Sequence, residues 1–379
     1  MSTYYPISQP FISDKELEYV TDAVKSGWVS SLGKYIELFE TSFAKFCDVK
    51  YALTVNNGTT GLHLALEVLG VTAGDEVIIP DLTFVATANA VAYTGAKPVL
   101  VDIDPDTLCI SLEAIKKAIT PRTKAIIPVH LYGHPANMSE INTLAKQHNL
   151  FVIEDAAEAH GAECNGKRVG SLSHFGVFSF YGNKIITTGE GGMLTTNDAA
   201  LFQRAKLLRD HAMSPTKRYW HPERGFNYRM TNLQAALGLA QMERIDEVLE
   251  HRQQLFRWYS EGINTDKHIR LNYQAPWAKN VYWLICLEID WLTEQLRNQF
   301  MEALKKAGVD SRPFFYTISS MPMYQDKPAS TALAKSTIGL NLPTYFQLTR
   351  KDVLAVSKII NDTIQSIKIK ADERHASII

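Results

Sequence analysis

From Tyr51 onward the chain repeats one unit: a short apolar run, a polar or glycine-containing turn, then a longer amphipathic stretch. Runs at 51–55, 76–80, 98–103, 124–129 and 150–154 read as strands. Stretches at 59–69, 83–93 and 138–147 read as the helices between them. Strands that alternate with helices build a mainly parallel sheet covered on both faces. Such a sheet holds ligands just beyond the C-terminal ends of its strands. The expected fold class is therefore α/β, with a large, mostly parallel sheet domain.

The flanking regions follow other patterns. Ser13 and Glu16 form a capping box, which predicts a helix to about residue 25 with Gly27 as its stop. A glycine-bounded loop at 27–34 precedes a second helix at 35–46, with Ile36, Phe39, Phe43 and Phe46 at helical spacing. After Asp198 the pattern is helical, with 231–243 running into a second helix that ends near 259. Residues 281–289 then read as a strand, and 293–306 and 353–367 as helices. This divides the chain into a large domain, 1–250, and a smaller α+β domain, 251–379. The first residues are expected on the small domain or on a partner subunit.

Totals exclude several function classes. The 379 residues are 46% hydrophobic and 21% charged, with a net charge of -1. That balance suits a soluble globular protein and argues against a general nucleic-acid or membrane-surface role. Cys47, Cys109, Cys164 and Cys286 are far apart and form no CxxC pair. No zinc site or other metal site is expected, and the pattern fits a reducing cytoplasm. No signal peptide is evident, and no apolar run approaches the roughly 20 residues that span a bilayer.

The chemistry concentrates in 152–193. Asp155 closes an apolar strand, and Lys184 follows the aromatic run 178–181 and precedes the glycine cluster 189–192. Desolvation beside Tyr181, Ile185 and Ile186 lowers an amine's pKa and makes it nucleophilic. A solvated surface lysine is the other reading. Asp155 pairs with a pyridine nitrogen in a pyridoxal enzyme; a helix cap or an ion pair is the bland alternative. Glu158, three residues on, faces the same ligand or lies on a solvated helix face. Asn57, Gly58 and Thr59 open a helix after a strand, an arrangement that suits an anion. No P-loop is present, and without a GxGxxG fingerprint a dehydrogenase is disfavoured. Ser179 is a second phosphate candidate. Phe84 stacks on a flat ring or belongs to the core. The loop 217–229 mixes cations with aromatics, as phosphate- and base-binding loops do, or is a basic surface loop. Arg312, Phe315 and Tyr316 form a second such cluster.

Three long motifs, EDAAEAHGA at 154–162, FSFYGNKIITTGEGG at 178–192 and FNYRMTNLQAALG at 226–238, resemble the DegT/DnrJ/EryC1/StrS family of sugar-nucleotide aminotransferases. The similarity runs from SGWVSSLGKYIELFE at 26–40 to the C-terminal region. It implies a fold-type-I transferase that uses pyridoxal 5'-phosphate, with pyridoxamine 5'-phosphate as its amino-carrying form, in a homodimer with shared active sites. By motif, Lys184 would be the Schiff-base lysine and Asp155 the pyridine partner. Gly58, Thr59 and Ser179 would hold the phosphate, Phe84 would stack on the ring, and Glu158 would sit near the ring hydroxyl. Asn227 would reach the phosphate in the neighbouring subunit. Substrate contacts are expected from Trp28, Ser30, Lys34, Lys217, Arg218, His221, Arg229, Arg312, Phe315 and Tyr316. Dehydratases of the family carry histidine at the lysine position, so Lys184 implies transamination. RYWHPERGFNYRMTN at 218–232, RPFFY at 312–316 and Glu158, where many members have glutamine, look closest to members acting on a GDP-linked sugar. The implied reaction moves an amino group from L-glutamate to C4 of GDP-4-keto-6-deoxy-D-mannose. The rivals are a UDP- or dTDP-linked 4- or 3-keto sugar, and a non-catalytic cofactor-binding regulator.

Overall fold

A computed structural model describes residues 4–376. Helix α1 (Asp14–Lys25) opens on the expected capping box, in which the Ser13 N–H donates to Glu16 Oε2 at 2.8 Å. Gly27 takes φ +76°, the left-handed conformation of a helix stop. Helix α2 (Lys34–Cys47) buries Phe39, Phe43 and Phe46, the stripe its spacing predicts.

Five strands then alternate with four helices. They are β1 (Tyr51–Val55), α3 (Gly58–Val68), β2 (Glu76–Pro80), α4 (Ala86–Tyr93), β3 (Lys97–Val101), α5 (Leu112–Ala118), β4 (Thr123–Ile126), α6 (Met138–Gln147) and β5 (Phe151–Asp155). A short hairpin, β6 (Glu163–Cys164) and β7 (Lys167–Arg168), leads to β8 (Phe175–Ser179) and β9 (Gly192–Thr196). Seven of these strands form one sheet in the order β1-β9-β8-β5-β4-β2-β3. Neighbours from β3 through β8 pair in parallel; β9 runs antiparallel to both β8 and β1.

Helices α7 (Ala199–Arg209), α8 (Asn232–Met242) and α9 (Ile245–Gly262) follow, and residue 250 falls inside α9. A second sheet holds β10 (Ile269–Leu271), β12 (Ile285–Ile289), β13 (Arg312–Pro313) and β14 (Gly339–Leu342), in the order β10-β12-β14-β13. Helices α10 (Glu294–Lys306), α11 (Ser330–Ile338) and α12 (Arg350–Ala376) accompany it, and β11 (Ala278–Lys279) reaches back to pair with β6. The first described residues pack on this second unit: the Tyr5 N–H donates to the Gly308 carbonyl at 2.8 Å. All four cysteines are free and buried. Among the described residues no helix is long and apolar enough to cross a membrane.

Of the elements that differ from the sequence expectation, three have a clear physical reason. The aromatic strand lies earlier, at Phe175–Ser179 rather than 178–181, and it contains Gly176. Glycine is a poor strand former, but this one is required: a Cβ there would lie 2.4 Å from Gly170 Cα. The run 281–289 is strand only from Ile285. Residues 281–284 are apolar because they are buried, and Tyr282 breaks the extended backbone with φ +49°. The helix expected at 83–93 begins at Ala86, because the preceding residues turn aside and Leu82 bridges Thr317.

Candidate active site

The C-terminal ends of β1, β2, β5 and β8 surround a cavity of about 400 Å³. Lys184 follows the end of β8, and its N–H donates to the Tyr181 carbonyl at 2.9 Å. Its Nζ lies 3.6 Å from Glu158 Oε1 and 3.9 Å from the centroid of the Trp283 ring. Burial lowers the Lys184 pKa, while Glu158 and Asp155 oppose that shift. Glu158 is buried too, and its Oε2 accepts the Tyr132 N–H at 2.9 Å. Burial pushes its carboxyl up to about 7 against the pull of Lys184 and that hydrogen bond. Both shifts have one cause: a dry site favours a neutral acid–amine pair over an ion pair.

Asp155 and Glu154 end the same strand but face opposite sides of the sheet. Glu154 accepts the Gly170 N–H at 2.7 Å and the Leu172 N–H at 2.9 Å, which pins the loop ahead of β8. Asp155 lines the cavity instead. Its Oδ2 accepts from Thr87 Oγ1 at 2.7 Å and its Oδ1 from the Ala157 N–H at 3.2 Å. Burial raises the Asp155 pKa. A cationic ring nitrogen beside it would return the carboxylate to its charged form.

The residues fit a phosphorylated pyridine. Asn57 caps α3 by accepting the Thr60 N–H at 2.9 Å, leaving the amides of Gly58 and Thr59 without helical partners. Ser179 stands across from them, so close that a Cβ on Gly58 would lie 3.1 Å from Ser179 Cβ. That leaves an anion cradle at a helix N-terminus. Phe84 is 55% exposed, which is unusual for a core phenylalanine and suits a ring-stacking face. Phe315 lies beside it, with centroids 5.7 Å apart.

Thus Lys184, Asp155, Glu158, Gly58, Thr59, Ser179, Phe84 and Phe315 line one cavity. The other expected contacts do not line it. Trp28 and Lys34 border a separate surface hollow. Ser30 is tied to that region by the Asn232 N–H, which donates to its carbonyl at 2.6 Å. Lys217, Arg218 and His221 stand on an exposed loop, where Lys217 covers Trp220 and Arg218 covers Tyr219. Arg229 ties Asp210 to Asn227, at 2.7 and 3.1 Å. Arg312 pairs with Asp310 at 3.4 Å, and Tyr316 is half exposed next to Arg297. Sequence reading missed Thr87, Tyr132 and Trp283. Thr87 lies within a helix and Trp283 within a run read as strand. Only Gly133, beside Tyr132, marked a tight turn.

Comparison with known proteins identifies the family. The model of the DegT/DnrJ/EryC1/StrS aminotransferase family matches residues 10–361. The chain is 46% identical to the GDP-perosamine synthase of Caulobacter vibrioides, covering 92% of this chain and 95% of that one. It is 43% identical to the GDP-perosamine synthase of Escherichia coli O157:H7, covering 95% and 98%. Among solved structures, the putative sugar aminotransferase Spr1654 from Streptococcus pneumoniae, in its PMP form, superposes with a TM-score of 0.92. That pair is 25% identical and covers 97% of this chain and 100% of the other. The chain belongs to the DegT/DnrJ/EryC1/StrS aminotransferase family, and it is a pyridoxal-phosphate-dependent aminotransferase.

Proposed function

We propose that the enzyme moves the amino group of L-glutamate to C4 of GDP-4-keto-6-deoxy-D-mannose, giving GDP-perosamine and 2-oxoglutarate. The observation that carries this reading is Lys184 buried between Glu158 and Trp283, in a chain 46% and 43% identical to two GDP-perosamine synthases.

Gly58, Thr59 and Ser179 would hold the cofactor's phosphate, Phe84 its ring face and Asp155 its ring nitrogen. The bound cofactor supplies an electron sink and carries the amino group. Lys184 does the proton work. Its Nζ accepts the α-proton of the amino donor, holds it and gives it up one step later. In the second half-reaction it runs the same transfer in reverse. Glu158 and Trp283 keep the amine in place while it is detached. Thr87 fixes the Asp155 carboxylate.

Lys184 is the one lysine or arginine lining the cavity among the described residues. A nucleoside diphosphate brings more negative charge than one lysine balances. A neighbouring subunit would then supply the further cations, with Lys217, Arg218, His221 and Arg229 serving that subunit's site and Asn227 its phosphate. A homodimer, a cytoplasmic setting, a role in supplying O-antigen sugars and a domain boundary near residue 250 belong to the same reading.

The test is a panel of GDP-, UDP- and dTDP-linked 4-keto-6-deoxy sugars offered with L-glutamate, with products identified by mass spectrometry. Preferred amination of the GDP sugar supports the proposal. Preference for a UDP or dTDP sugar replaces the substrate but keeps the chemistry.

A further inference from the structure

Trp283 comes from the segment that leads into β12 of the second sheet, yet its ring lies beside the Lys184 amine at the ends of the first sheet's strands. It is 3% exposed. Three contacts set it there. Its Nε1 donates to the carbonyl of Asn183, the residue before Lys184, at 2.8 Å. Its own carbonyl accepts from Arg252 Nη1 at 2.6 Å. Its ring lies nearly parallel to that of Tyr132, 16° off, with centroids 6.2 Å apart. The backbone is shaped for the purpose. Tyr282 turns at φ +49°, and the segment packs so closely on Gly133 that a Cβ there would lie 2.7 Å from the Trp283 backbone nitrogen. An indole held this firmly is more than packing. Its face lies 3.9 Å from Lys184 Nζ, within the roughly 6 Å range over which a ring attracts a cation.

We propose that Trp283 is a positioning residue for Lys184: its indole face is the seat that holds the Lys184 ammonium while that amine carries the substrate proton. The need follows from the reaction. Lys184 becomes a cation when it takes the substrate proton, and it must keep that proton until it is delivered. Burial works against this cation. The groups around Lys184 are few. Glu158 and Asp155 attract it, and Glu190 and Tyr181 also line the cavity. His160 lies behind it, held neutral by burial and by Lys184 itself. Arg252 is committed to the Trp283 carbonyl, and Tyr132 to Glu158 and Phe315. Glu158 is the closest of these groups, and in a dry site it competes for the proton rather than leaving it on the amine. The indole nitrogen is not basic, so the ring stabilises the ammonium without taking the proton away.

The inference rests on Lys184 being the catalytic amine, so the test reads Lys184 without turnover. Cofactor-free wild type, Trp283→Phe and Trp283→Leu are labelled with acetic anhydride across the alkaline range. The Lys184 peptide is then quantified by mass spectrometry. Losing the ring should lower the labelling midpoint by roughly one pH unit in Trp283→Leu and by less in Trp283→Phe. The same shift should appear in the pH profile of kcat for the loaded enzymes. Thermal melts identify which variant is folded, and the Phe variant decides if the Leu variant is not. A midpoint that stays put or rises in a folded variant overturns the seat. Retained turnover in Lys184→Ala would instead overturn the reaction assignment, and the two failures are separate.

Discussion

Lys184 Nζ and Glu158 Oε1 lie 3.6 Å apart in a buried pocket, and burial drives both groups toward their neutral forms. The pair behaves as an acid and an amine that share one proton, not as a surface salt bridge.

That sharing has a pH signature. In the folded protein the Glu158 carboxyl is raised from 4.5 to about 7, so the fold binds its proton more tightly than the unfolded chain does. Its stabilising contribution is therefore complete below the unfolded value and is lost as pH rises through the folded one. Glu158→Gln lacks this dependence. Between about pH 5 and pH 8, cofactor-free wild type should lose about 2 kcal/mol relative to Glu158→Gln. Unfolding curves of both proteins across that range check it, and parallel curves contradict it.

Thr87 sets the orientation of Asp155 through a 2.7 Å hydrogen bond. Thr87→Val leaves a buried carboxylate short of a donor, a loss of about 1–3 kcal/mol. Cofactor affinity, read by absorbance titration, should fall by about tenfold or more. Thr87→Ser keeps the hydroxyl and should restore most of it. Equal affinity in Thr87→Val and wild type would remove Thr87 from the site.

Asp81 locks the segment after Phe315 onto the end of β2. Its carboxylate accepts the Ser319 N–H, the Ser319 hydroxyl and the Ala329 N–H, at 2.8, 2.7 and 3.0 Å. Asp81→Ala orphans two backbone donors and should destabilise the protein by about 3 kcal/mol. The segment that follows Phe315 loosens, so KM for the sugar nucleotide should rise. Thermal denaturation and steady-state kinetics test the two parts. An unchanged melting point rules out the clamp.

Gly58 leaves space for an anion that a side chain would fill. In Gly58→Ala the new Cβ would press on Ser179 at 3.1 Å. Phosphate-bearing cofactor should bind about tenfold more weakly, and phosphate-free pyridoxal should be affected much less. Equal losses for both ligands would place the phosphate elsewhere.

The parallel sheet was legible because apolar runs and polar turns alternate along the chain, and β1 and β2 end where the pattern ends. Asp155 and Lys184 were legible because strand ends concentrate chemistry in such a sheet. Glycine at a close approach hid the true start of β8, since Gly176 yields to the Gly170 backbone rather than to strand propensity. Thr87, Tyr132 and Trp283 were not legible, because each acts through a contact between segments distant in sequence. Trp283 sits 100 residues from the Asn183 carbonyl it binds. The cations on the 217–229 loop were visible as a cluster, but a single chain does not bring them to the cavity.

In the proposed reaction Lys184 performs the proton transfers of an amination at a GDP-linked keto sugar. The direct measurement is turnover of L-glutamate and GDP-4-keto-6-deoxy-D-mannose by wild type and Lys184→Ala, with the sugar product identified by mass spectrometry. Wild type should give the 4-amino sugar nucleotide, and Lys184→Ala a rate at least about 10³-fold lower. Comparable rates from the two proteins, or no amino sugar from wild type, would contradict it.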